Sequence, residues 1–148
     1  MMNGKNASSE TSAVSEHGLT LYQVVAMAVV GVVFWFAAAM TVQFGAPLGI
    51  FGPVASAALF VVSFPVAWLG VLIAIPVAGL RPGQYVNGVV VGTCSATICD
   101  GIALTWFRGL YGSDPELVLL GAAWILWGIS AFFAAAMFEA WRRGVRPV

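Results

Sequence analysis

Four stretches of this chain run apolar for about twenty residues or more, and nothing else limits its fold so strongly. A helix rises about 1.5 Å per residue, so about 20 residues cross a hydrocarbon core of about 30 Å. Within that core a helix satisfies its own backbone polar groups. The stretches are residues 19–41, 53–80, 86–107 and 117–138. Of the 148 residues 61% are hydrophobic and 8% charged, against about 25% charged in a soluble domain. The expectation is an all-α integral membrane protein with four transmembrane helices arranged as two helical hairpins. Six basic and six acidic residues cancel, which argues against a nucleic-acid binder, since that needs a basic face to neutralise phosphates.

Residues 1–18 are rich in Ser, Asn and Glu and read as a disordered cytoplasmic tail. His17, at the membrane edge, reads as a solvated histidine. The first span holds Gly31 and Ala37–Ala39, which allow close helix approach. The apolar run before that Ala triplet is longer than the core of a signal peptide, so no cleavage is expected. Gln43 to Gly49 is an uncharged loop marked by Gly and Pro. Pro53 opens the second span, and Pro65 and Pro76 inside it each remove a backbone donor and tend to bend it. Arg81–Gln84 is a tight connection. Arg108–Glu116 is the most charged loop between spans, with Ser113-Asp114-Pro115-Glu116 as an N-terminal cap. In the fourth span Gly121, Gly128 and Ala135 recur every seven residues and form one small-residue stripe. Residues 19–141 thus make the transmembrane domain. Residues 142–148 make a basic cytoplasmic tail suited to anionic headgroups.

With four spans, Lys5, Arg81, Arg142, Arg143 and Arg146 share one side, and Arg108 stands on the other. The excess of positive charge marks the cytoplasmic side, so both termini are expected inside, in the cytoplasmic membrane. Tyr22, Tyr85 and Trp141 fit an inner aromatic belt; Trp106, Phe107 and Tyr111 fit an outer one.

Asp100 is the one acidic or basic residue within these stretches. A carboxylate at the centre of a membrane helix costs roughly 2.5 kcal/mol or more, so Asp100 is expected to face protein or water. At 100° per residue, Gly88, Gly92, Ser95, Cys99 and Ala103 share one small face suited to helix packing, and Thr93, Thr97 and Asp100 share a polar face beside it. Counted inward from the outer end, Asp100 lies level with Ala37, with Leu59 and Phe60, and with Trp124. Hydroxyl or indole donors from Ser56, Ser63, Trp124 or Trp127 are within reach of that level. Arg108, about 12 Å further along the helix, is the one cation on that side, and its long side chain favours snorkelling to water over pairing with Asp100. The candidate polar site is therefore Asp100, Thr97, Thr93, Arg108 and Trp124. Gly88, Gly92, Cys99, Gly121 and Gly128 are the candidate packing residues.

No catalytic constellation accompanies the carboxyl. The chain has no CxxC, and within the spans the carboxyl has no second acid or nucleophile–base pair beside it. Cys94 and Cys99 point to different faces of one helix, and His17 belongs to the opposite membrane side, so no metal or cofactor is expected. Both cysteines read as small packing residues.

The run Cys99-Asp100-Gly101-Ile102-Ala103-Leu104, followed by Trp106-Phe107, Tyr111-Gly112 and Trp124-Ile125-Leu126-Trp127-Gly128, resembles the second half of a family of small four-span bacterial membrane proteins of unknown function. The likeness covers the last third of the chain and implies a topology without an activity. A proline expected after the loop aromatic is Gly112 here. Two functions follow as expectations: a non-catalytic assembly or accessory subunit that self-associates or joins a larger membrane protein, and, as the alternative, a small proton-linked or solute transporter using Asp100.

Overall fold

The computed structural model describes residues 18–145. The expectations for Lys5, His17, Arg146 and the outermost tails fall outside that range. Within it lie four helices long and apolar enough to cross a membrane: α1 (Leu21–Gly45), α2 (Pro53–Ala78), α3 (Tyr85–Trp106) and α4 (Pro115–Arg142). No strand occurs among the described residues. Each connection contains one 3-10 turn, at Ala46–Leu48, Pro82–Gln84 and Arg108–Leu110.

Local chemistry sets the ends. Thr20 caps α1 in a reciprocal box with Gln23, whose side chain accepts from the Thr20 N–H at 2.9 Å. Asp114 Oδ1 accepts from the backbone N–H of Glu116 and Leu117, and Pro115 follows as the first helical residue. α2 stops at Gly79, whose φ of 61° suits glycine. Pro65 and Pro76 lie inside α2 and leave the carbonyls of Val61 and Leu72 without their usual helical donor.

The principal contacts join α1 to α3 and α2 to α4, with α3 also packed on α4; α1 touches α2 only sparsely. Met27, Gly31 and Trp35 meet successively later positions of the α3 side, and Phe60 and Trp68 meet successively later positions of α4, so both main pairs run parallel. Of the two expected hairpins, the second is seen as α3 packed on α4, whereas α1 and α2 barely touch and the larger interfaces join α1 to α3 and α2 to α4. The cause of this pairing is shape. A Cβ on Gly31 would overlap the Gly92 carbonyl, so the two backbones cross in contact, and no other residue fits. Gly70 of α2 likewise makes room for the edge-to-face pair of Phe34 and Phe132.

One end is further locked by buried amides. Gln23 Nε2 donates to the Gly79 carbonyl at 2.9 Å and to Gln84 Oε1 at 3.0 Å, while Gln84 Nε2 donates to the Gly18 carbonyl. Tyr85 is buried at this end and Tyr111 at the other, so neither belongs to an aromatic belt; Tyr22, Trp106, Phe107 and Trp141 are exposed.

Candidate functional site

α3 turns Asp100 inward, 8% exposed, beside the buried Ala103. After Trp106 the turn at Arg108–Leu110 folds the chain back, closed by the Tyr111 N–H on the Arg108 carbonyl at 2.9 Å. Gly112, at φ 132°, lets the chain leave the turn in a conformation that side chains disfavour. Tyr111 thereby enters the bundle, 1% exposed. Its hydroxyl bonds to Asp100 Oδ1 at 2.5 Å, and Trp35 Nε1 of α1 donates to the same hydroxyl at 2.9 Å. Indole can only donate, so the phenol accepts from Trp35 and gives its own proton to the carboxyl. Burial first, then the hydrogen bond to Asp100, holds the Tyr111 phenol well above its ordinary pKa, which keeps it a donor.

Of the expected polar group, Thr93 lines a cleft with Asp100, while Thr97 is exposed on the outside of α3. Both hydroxyls bond to carbonyls of their own helix, at Val89 and Thr93, each at 2.8 Å. Arg108 is exposed and donates to the Leu104 carbonyl at 2.9 Å, away from Asp100. Trp124 Nε1 donates to Ser63 Oγ at 2.9 Å and Trp127 Nε1 to the Phe60 carbonyl at 3.0 Å, so these donors tie α4 to α2 and leave Asp100 to Tyr111 and Trp35. Sequence reasoning missed both of those partners. Trp35 stands half a turn from Ala37, the level reached by counting depth; Tyr111 had been placed at the interface because the turn that returns it inward is tertiary.

The packing residues divide similarly. Gly88 meets Leu80 and Met27, Gly92 meets Met27 and Gly31, and Gly121 meets Val42. Cys99 lines a shallow groove of about 690 Å³ with Gln43, Phe107 and Leu110. Gly128 has nothing within 4 Å of where a Cβ would stand.

Between the helices runs a cleft of about 290 Å³, lined at one end by Asp100, Ser63, Thr41 and Trp124 and at the other by Met27, Val71, Ala74 and Phe132. Its exposed lining residues, Ala37, Thr41 and Val66, belong to α1 and α2, so its mouth lies between these two sparsely packed helices.

A second polar cluster lies at the far end and corrects the view of Asp100 as the one buried acidic or basic group of the helices. Glu139, 0% exposed, accepts from Trp68 Nε1 at 3.2 Å and pairs with Arg142 at 2.9 Å and Arg143 at 3.0 Å. Arg142 also lies over the Trp68 ring, 5.7 Å from its centroid. These two arginines, expected on headgroups, turn back onto the bundle. Among the described residues no group of three or more His, Cys, Asp or Glu is placed to hold a metal ion.

Compared with known proteins, the chain matches no family model, no curated protein and no solved structure. Fold and composition define its class, a multi-pass helical membrane protein.

Proposed function

We propose that this protein is a non-catalytic subunit of the cytoplasmic membrane, with both termini inside, that works by assembling with a second copy of itself. The observation that carries this reading is the outer face of α3. Gly88 and Gly92 are occupied within the chain, whereas Cys94, Thr97, Gly101 and Thr105 are exposed and share one side of the helix. Thr97, Gly101 and Thr105 follow the small-xxx-small spacing by which membrane helices approach closely. Asp100, engaged by Tyr111 and Trp35, then serves to hold the returning turn on the bundle. The excess of positive charge on the side of the termini supports the orientation. The resemblance to a four-span family agrees with it and adds no activity.

Cys94 supplies the test. Oxidative cross-linking in native membranes is expected to join two copies through Cys94, and Gly101→Leu is expected to reduce the cross-linked fraction severalfold while the protein still accumulates. Cross-linking that is absent, or indifferent to Gly101→Leu, refutes assembly through this face.

A second reading, proton-linked transport, is favoured by one observation: Asp100 lines the cleft. A hydrophobic carbodiimide that modifies Asp100 in native membranes, and an Asp100→Asn variant that assembles but loses a transport phenotype, would support it. An Asp100 that stays unmodified while an unfolded control reacts supports the structural role.

A further inference from the structure

We infer that the cleft between α1 and α2 is a binding site for one extended lipid chain whose head group donates a hydrogen bond to Asp100. Its dimensions point to a single chain. The lining runs from Ser63 to Ala74 on α2 and from Val89 to Asp100 on α3, about 16 Å on either helix at 1.5 Å per residue. A volume of about 290 Å³ drawn out over that length leaves a narrow channel along the helix axes, the direction of a chain in a bilayer. A bulky fused-ring ligand or a second chain does not fit it.

The walls are graded. Val71, Ala74 and Phe132 close the apolar end. Ser63 and Thr41 near Asp100, and Thr93 about two turns toward the apolar end, each direct the hydroxyl proton to a carbonyl of their own helix, so toward a ligand they can only accept. Asp100 differs. A carboxylate has about four acceptor positions, and the Tyr111 hydroxyl occupies one. A hydroxyl or ammonium head, which can donate, suits what remains, whereas a carboxylate head has no proton to give it. The mouth opens between α1 and α2, where the exposed Val66 and Ala37 face the surroundings, so a chain enters sideways from the membrane and not from water.

Gly128 makes the inference testable. It lines the cleft and its missing Cβ meets nothing, so Gly128→Leu fills the channel without pressing on backbone. Gly101 is equally open but lies on the exposed face of α3, and Gly101→Leu is the matched control. The probe is a diazirine-bearing hexadecanol, photolysed with the full chain in phosphatidylcholine vesicles, with modified peptides mapped by mass. Labelling is expected to concentrate on α1 and α2 at the cleft, to saturate, and to be competed by hexadecanol or hexadecylamine and not by palmitate. It should fall at least tenfold in Gly128→Leu and persist in Gly101→Leu. Unsaturable labelling over all outward faces, labelling unchanged by Gly128→Leu, or equal competition by palmitate overturns the assignment. Loss of assembly in Gly101→Leu with cleft labelling intact separates this site from the self-association face.

Discussion

Asp100 is held by two aromatic groups that the linear order of the chain keeps far from it or assigns elsewhere. Tyr111→Phe removes the donor to the carboxyl and the acceptor of the Trp35 N–H in one change. Leaving buried polar groups unpaired costs about 1–3 kcal/mol, and that loss is expected in thermal unfolding of the purified protein in detergent. Trp35→Phe leaves the Tyr111–Asp100 bond in place, and its polar component should be smaller, although the lost indole packing adds to it; a double-mutant cycle isolates the coupling. The raised Tyr111 pKa also gives a direction with pH. A group whose folded pKa lies above its unfolded value contributes stability that is complete below the unfolded pKa, about 10 for tyrosine, and is lost as pH climbs through the folded value. Alkaline titration followed by unfolding midpoint should therefore show a fall above about pH 10 that is reduced in Tyr111→Phe. Asp100 was legible because a charge inside an apolar run must find company. Tyr111 was not, because an aromatic residue near a span end looks like an interfacial anchor until the turn at Arg108–Leu110 is seen to return it.

At the level of helices, pairing is decided where two backbones touch. Gly31→Val places a side chain against the Gly92 backbone, which cannot move aside as a flexible side chain would. Overpacking of this kind costs typically about 1–3 kcal/mol, and circular dichroism with thermal melting should register it as a lowered midpoint. Gly101→Ala meets nothing and removes a poor helix former, a gain of up to about 1 kcal/mol, so it should leave the midpoint unchanged or raise it. Gly31, Gly88 and Gly92 were all visible in the sequence as sites of close approach. That Gly31 and Gly92 meet each other was not, since a helical wheel reports the faces of one helix and says nothing about which neighbour a face receives. Gly70, isolated in the sequence, gives no stripe at all and is explained only by the phenylalanine pair that it accommodates.

Across the whole molecule the two ends are closed by different chemistry. One end relies on Tyr111 and Trp35; the other combines the Gln23–Gln84 amide clamp with Glu139. Glu139 links α4 to α2 through Trp68 and draws Arg142 and Arg143 onto the bundle. Glu139→Ala removes all of these and leaves the Trp68 N–H without its acceptor. The variant is expected to unfold at lower temperature and to be cleaved faster by trypsin at its C-terminal arginines, released from Glu139. Glu139→Gln keeps an acceptor for Trp68 and should fall between wild type and the alanine variant. Equal melting of all three would show that the cluster is energetically idle. Glu139 escaped the sequence reading because it stands just beyond the fourth apolar run as first bounded, 117–138, while the helix continues to Arg142.

The number of helices, their approximate lengths and the anomaly at Asp100 were determined by the sequence alone, because transfer of a segment from water to lipid is close to a sum over its own residues. Which helices lie together was decided only in the tertiary structure. In a membrane no difference in hydrophobicity sorts one apolar face from another, so pairing rests on close backbone approach and on hydrogen bonds between distant residues. Gly31 against Gly92, Trp124 on Ser63 and Tyr111 on Asp100 are such contacts. Sparse contact between α1 and α2 is their consequence, and it leaves open the cleft in which Asp100 stands.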